Sequence, residues 1–111
     1  MARVKKIALI DQITTYGTRR QEIKKDLEPR YIFAEIQSVT RQEFFAASSK
    51  GMASDGMALV WPWEYHGEEI MEMEGKRYAI YRTFMPDNGK KLELYYQYEV
   101  GPANPAGGNE Q

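Results

Sequence analysis

Few side chains in this sequence are capable of chemistry, and they lie close together. His66, the single histidine, stands among Glu64, Glu68 and Glu69, donors that could hold zinc or a hard cation if the backbone brought them to one side. Strand alternation works against that, because it sends neighbouring residues to opposite faces. Ser48 and Ser49 could act as nucleophiles, but neither has an activating partner or a nucleophile-elbow context; both read as the polar end of a helix. Residues 51–56 lack the Lys-Ser/Thr ending of a phosphate loop. No cysteine is present, so thiolate chemistry and disulfides are excluded and a reducing compartment is the natural one. None of the carboxylates sits in an apolar run that would raise its pKa for acid–base work. The chain therefore reads as a non-enzyme with no cofactor and no metal site.

Its elements are more informative. Residues 31–39 alternate as a strand and run directly into a helix that opens at Thr40. Thr40 can accept a hydrogen bond from the amide of Glu43, while the Glu43 carboxylate reaches back to the amide of Thr40. Phe44, Ala47 and Ser48 follow at helical spacing, and Gly51 is a plausible stop. Almost everything else reads as β, so this lone helix is a lid, a brace or an interaction element.

Residues 4–13 predict a first strand that is partly apolar on both faces, as in the middle of a closed or two-layered sheet. Residues 14–29 are polar and densely charged, and predict a turn at Tyr16-Gly17 followed by an exposed edge strand or long loop. Residues 51–56 read as a flexible linker. Met57, Leu59, Trp61, Trp63 and Tyr65 alternate on one face of an expected nine-residue strand. Pro62 cannot donate to a ladder and places that strand at an edge or bulge.

After a turn at His66-Gly67, a hairpin with its tip at Glu74-Gly75 sets Glu72 opposite Arg77 and Met71 opposite Tyr78. Met71, Met73, Tyr78 and Ile80 then share a face. Pro86 to Gly89 form another turn. In the last strand Leu92, Leu94, Tyr96, Tyr98 and Val100 point inward. Six to seven short strands with one short inserted α-helix predict a mainly β fold, a small antiparallel barrel or sandwich. It forms one domain over residues 1–100, and residues 101–111, rich in Gly, Pro, Asn and Ala, read as a flexible C-terminal tail.

Fifteen basic and sixteen acidic residues give a net charge of −1, unlike the strong positive field of most nucleic-acid binders. Eight Tyr, six Met and two Trp supply much of a 42% apolar fraction. Such residues tolerate partial exposure and hint at self-assembly. The apolar run near the N-terminus, 7–10, is too short for a signal peptide, and no segment reaches membrane-spanning length.

Several stretches, taken in order, carry a resemblance. Glu43-Phe44-Phe45-Ala46-Ala47 follows the alternating strand. Tyr65-His66-Gly67-Glu68-Glu69-Ile70, Gly75-Lys76-Arg77-Tyr78-Ala79-Ile80-Tyr81-Arg82-Thr83 and Leu92-Glu93-Leu94-Tyr95 come later. Over roughly residues 3–101 the set resembles the head closure proteins of tailed bacteriophages, the head–tail adaptor or stopper family. The resemblance implies a virion protein, assembled in the bacterial host cytoplasm, with a small β-barrel or sandwich and one helix. Its members form a ring with themselves, six- or twelve-fold, below the portal-bound adaptor. That ring retains the packaged DNA, which passes without sequence specificity, and presents a docking surface to the tail terminator or completion protein.

The resemblance also implies that the connection between the second and third core strands moves on assembly and helps plug the channel. Here that stretch is 38–56, with Thr40, Glu43, Phe44, Phe45, Ser48, Lys50, Gly51, Met52, Asp55 and Gly56 as its candidate residues. Ring interfaces are heterologous and are expected at Arg19, Arg20, Lys24 and Lys25 and at Pro62. The tail is longer than the ends the resemblance implies, and reads either as a docking arm or as a solvated end. A rival class is a small nucleic-acid-binding β-barrel, since Lys76-Arg77-Tyr78 and Tyr81-Arg82 set basic residues beside aromatic ones.

Overall fold

The computed structural model describes residues 3–87 and 89–99. The chain runs β1 (Arg3–Ile10), β2 (Gln12–Tyr16), β3 (Glu22–Asp26), β4 (Arg30–Gln37), α1 (Arg41–Ser49), β5 (Gly56–Val60), a 3-10 turn (Pro62–Glu64), β6 (Ile70–Met73), β7 (Lys76–Phe84) and β8 (Leu92–Tyr98). Six strands close into an antiparallel barrel in the order β1-β4-β5-β8-β7-β6, and β2 and β3 form a separate two-stranded sheet. The expected mainly β architecture with one inserted helix is what the chain adopts. Among the described residues, no helix is long and apolar enough to cross a membrane.

Alternation fills the barrel. Ile7 and Leu9 point in from β1, Ala34 from β4, Ala58 and Val60 from β5, and Met71, Met73, Leu94 and Tyr96 complete the buried core. The opposite face of β1 is also covered, since Ala8 and Ile10 pack with Ile70 in a second small cluster. The closing seam pairs Leu9 with Met71 and Ile10 with Ile70.

The β6–β7 hairpin has the expected register, Glu72 opposite Arg77 and Met71 opposite Tyr78. Glu74 (φ 53°) and Gly75 (φ 78°) both take the left-handed backbone at the tip, the conformation a two-residue hairpin needs. Gly89 donates to the Pro86 carbonyl at 3.1 Å in the expected turn. In β8, Leu94 and Tyr96 lie in the core and Leu92 packs against it, but Tyr98 is half-exposed at the last rung. Val100 and the 101–111 tail fall outside the described residues.

Three expectations need correction. The first strand ends at Ile10, because Asp11 accepts from Gln12 N at 2.9 Å through its side chain and from Leu27 N at 2.8 Å through its carbonyl. That bend carries the chain out of the barrel. The expected turn after Tyr16 and the exposed edge strand beyond it are present, β3 pairing with β2 in the separate two-stranded sheet.

The strand expected over 57–65 stops at Val60. Its core face belongs to Ala58 and Val60 rather than to the larger alternate residues, and both of its edges are paired, with β4 and β8. Pro62 starts a 3-10 turn instead of marking an edge. Glu64 closes that turn by accepting from Trp61 N at 3.0 Å, and Trp61 and Trp63 stack at 5.1 Å on the outside.

An isolated two-stranded ribbon is marginal in water, and here its base is tied to the barrel. Arg77 grips Asp26 with two hydrogen bonds of 2.8 and 2.9 Å. Hydrogen bonds from Arg77 and Gln12, opposed by some burial, hold the Asp26 carboxyl down at about 2. The stabilisation this gives is complete above the unfolded value of 3.8, and it fades as pH falls through about 2. Amide exchange followed across an acid titration should show β2–β3 protection falling in that window. An Asp26→Asn variant should show no such acid step.

Candidate functional site

The β4–β5 connection carries the helix, and its local sequence specifies both ends. Thr40 takes an extended backbone and its hydroxyl accepts from Glu43 N at 3.1 Å, which satisfies one orphan amide of the first turn. At the other end Lys50 is the C-cap and Gly51 has φ +80°. Gly51 N donates to the Ser48 carbonyl at 3.0 Å and Met52 N to the Ala47 carbonyl at 2.9 Å, the paired bonds of a Schellman stop. Replacing Thr40 with Ala should cost about 1 kcal/mol of helix stability. Amides of the first helical turn should exchange about fivefold faster, with barrel amides unchanged.

The second half of the expected capping box is not made. The Glu43 carboxylate turns away from Thr40 and onto the barrel wall, where it accepts from Tyr81 Oη at 2.8 Å and Arg82 Nη2 at 2.5 Å. Burial opposes its charge, but hydrogen bonds from Arg82 and Tyr81 and the Arg82 charge outweigh that and hold it below the usual carboxylate range. Tyr81 Oη also meets Ser54 Oγ at 2.7 Å, and the Arg82 guanidinium lies 4.2 Å over the Tyr95 ring. A β-bulge between Ile80 and Arg82 permits this, because it turns Tyr81 and Arg82 both toward the helix.

Residues 51–56 are stitched down rather than free. Ala53 N donates to Gln97 Oε1 at 3.2 Å, Asp55 N to the Tyr96 carbonyl at 2.9 Å, and the Asp55 carboxylate accepts from Tyr98 N. Gly56 has no room for a side chain, since a Cβ there would lie 2.3 Å from Tyr96 Oη.

The helix itself is lightly packed. Ala47 is its one buried residue, while Phe44 is 44% and Phe45 61% exposed, their rings edge-to-face at 5.9 Å. Ser48 and Lys50 face solvent and Met52 is half-buried. The element is thus held to the wall by one alanine and a polar clamp, with two phenylalanines presented outward.

The interface candidates fall into two places. Arg19 and Arg20 occupy the β2–β3 turn, Arg20 with φ 64°, and Lys24 and Lys25 project from β3, which is exposed throughout. Pro62 lies away from them in the 3-10 turn. Sequence reasoning missed Ser54, Tyr81, Arg82 and Gln97, the partners that hold the connection. Only the Tyr81-Arg82 pairing was visible, and nothing in the sequence marks the bulge that aims it.

The histidine and its acidic neighbours are dispersed. Glu68 is buried and accepts from Arg30 Nε at 2.8 Å and His66 N at 2.8 Å, and Glu64 is committed to Trp61. Among the described residues no group of three or more His, Cys, Asp or Glu is placed to hold a metal ion. No protein-family model matches the chain, and no curated protein shows significant sequence similarity to it.

Proposed function

We propose that this chain is a structural ring component of a phage head–tail connector, which closes the DNA exit after packaging and offers the surface on which the tail docks. One observation carries the reading. The one α-helix among the described residues of a small closed barrel sits in the β4–β5 connection with Phe44 and Phe45 outward, clamped to the wall chiefly by Glu43. An element fixed by exchangeable polar contacts can change partners without unpacking a core. The near-neutral charge supports a ring through which DNA must leave, since it avoids a strong counterion-release term.

The rival single-strand reading is weakened at the residues that suggested it. Arg77 is engaged by Asp26, Glu72 and Glu99, and Arg82 by Glu43. Steeply salt-dependent single-strand binding would restore it.

Electron microscopy of lysates from the phage or prophage lacking this gene tests the proposal. Tailless heads that have lost DNA, beside free complete tails, are expected; DNA-filled tailed particles would overturn it. Thr40→Ala should reduce DNA retention or assembly more than solubility, and an unchanged phage yield would count against a working helix.

A further inference from the structure

Every strand of the barrel is paired on both sides, but the strands of the β2–β3 ribbon are not. Among the described residues β2 pairs with β3 alone, so each keeps one open edge. Two bonds show which backbone groups look outward. Leu27 N donates to the Asp11 carbonyl, and Gly17 N to the Gln21 carbonyl at 3.0 Å, so the odd-numbered residues of β2 turn their backbone to β3. The even-numbered ones, Gln12, Thr14 and Tyr16, turn theirs to the open edge. The Asp11 side chain already takes the Gln12 amide at 2.9 Å. Thr14 and Tyr16 keep both backbone groups unpaired among the described residues.

The two edges differ in kind. By the same alternation the open edge of β3 is carried by Glu22, Lys24 and Asp26, and charge on an edge strand discourages pairing. β2 reads Gln-Ile-Thr-Thr-Tyr. It has no charge, no proline and no bulge in its ladder, and most of it favours extended backbone. Ile13 and Tyr16 are exposed. Such an edge is a template for another strand.

Charge says which strand. The tip of the ribbon carries Arg19 and Arg20, both exposed. Its base is acidic: Ile10 stands opposite Ile70, which brings Asp11 and Glu69 to one end of the seam. Burial, then the charges of Glu68, Glu69 and Asp11, push the Tyr65 phenol there up to about 12. None of Asp11, Arg19, Arg20 and Glu69 is in an ion pair with another described residue. A second copy of the ribbon, laid antiparallel, sets a basic tip on each acidic base, and does so twice.

We propose that two copies of the chain join by their β2 edges into one four-stranded antiparallel sheet. Thr14 of each copy stands opposite Tyr16 of the other, and each such pair exchanges both of its N–H···O=C bonds. Thr15 meets Thr15 at the two-fold axis, and Asp11 faces the other copy's Arg19. The contact is isologous, so two chains complete it and it builds no ring; it rests on the ribbon and not on the connector reading. Two short strands bury less than a permanent dimer needs, so pairing rises with concentration.

Sedimentation, and NMR of isotope-labelled mixed with unlabelled full-length protein, test it. Expected are a monomer–dimer equilibrium and an intermolecular Overhauser contact between the Thr15 α-protons of the two copies. Thr14 and Tyr16 amides should exchange more slowly as concentration rises. Thr14→Pro is the decisive variant. The N–H it removes faces the open edge, so the β2–β3 ladder keeps its bonds and the Ile13 and Thr15 amides stay protected. The dimer dissociation constant should nevertheless rise about 30-fold. Arg19→Glu/Arg20→Glu should raise it about fivefold at low salt; an unchanged constant would take the tip off the acidic base and overturn the register. A chain still monomeric at about 1 mM overturns the proposal, as does a dimer that keeps its affinity in Thr14→Pro. So does association that continues past two chains, or contacts that map to Phe44 and Phe45 instead.

Discussion

Glu68→Ala should lower the melting temperature by on the order of 10–20 °C at neutral pH. The Glu68 side chain is 4% exposed, and its carboxylate takes hydrogen bonds from Arg30 and from the amide of His66. Arg30 also donates to the Glu64 carbonyl at 2.8 Å, and Tyr65 Oη donates to the Glu68 carbonyl at 2.6 Å. Together these bonds fix the path from the 3-10 turn into β6. Removing the carboxylate leaves two donors unpaired, one of them a guanidinium that is 37% exposed and partly screened. The loss is therefore placed at about 2–3 kcal/mol, below the full penalty for breaking a fully buried pair.

The pH dependence has a definite sign. Burial opposes the Glu68 charge, but the His66 amide, Arg30 and its own amide outweigh burial and hold the carboxyl below the ordinary glutamate value of 4.5. The contribution is thus present above pH 4.5 and is lost as pH falls through the lower folded value. Calorimetry should show the wild-type and Glu68→Ala transitions converging in acid. A gap that persists unchanged at low pH would argue that the glutamate acts by packing alone.

Leu9→Ala should cost about 3–4 kcal/mol, the second large effect. Leu9 has no exposed surface and pairs with Met71 across the β1–β6 seam, where only Ala8, Leu9 and Ile10 take part. A truncation there leaves a void at one of the two shortest ladders of the barrel, walled by rigid backbone that cannot collapse into it. Denaturant unfolding should show a lower midpoint with an unchanged slope. Leu27→Ala, at a position 41% exposed, should change stability by less than about 0.5 kcal/mol. If Leu9→Ala costs no more than Leu27→Ala, β1 and β6 do not close the barrel.

The elements legible in the sequence were those whose signals are local. Glu74-Gly75 supplied a tip whose backbone fixes the register of both flanking strands, so Glu72/Arg77 and Met71/Tyr78 followed. Thr40 and Gly51 marked both ends of the helix by cap chemistry alone. The misreading over 57–65 came from weighing side-chain size above fit. Trp61, Trp63 and Tyr65 alternate strongly, but Pro62 suits the first residue of a helical turn, and the narrow interior took Ala58 and Val60 instead.

The candidate site was legible by half. Its helix and connection were visible, but the partners that hold it lie about forty residues away on β7, beyond a bulge with no sequence signature. Glu43 had two competing uses, and a charged partner on the wall outbid the local cap, as charge-assisted bonds do. Glu68 was read only as a possible metal donor beside His66, because the partner that fixes it, Arg30, lies 38 residues away in sequence.

Strand order also governs when this chain can fold. β8, the last of the described strands in chain order, is not at the seam but lies between β5 and β7. While residues 92–98 are still in the ribosome, β5 and β7 each present an open edge and no barrel can close. Barrel closure is therefore deferred until residues 92–98 have emerged, and it then proceeds through non-local pairings that are slow to form. A product truncated before Leu92 cannot mature into a smaller version of the domain; it remains open at two edges and falls to proteolysis or aggregation.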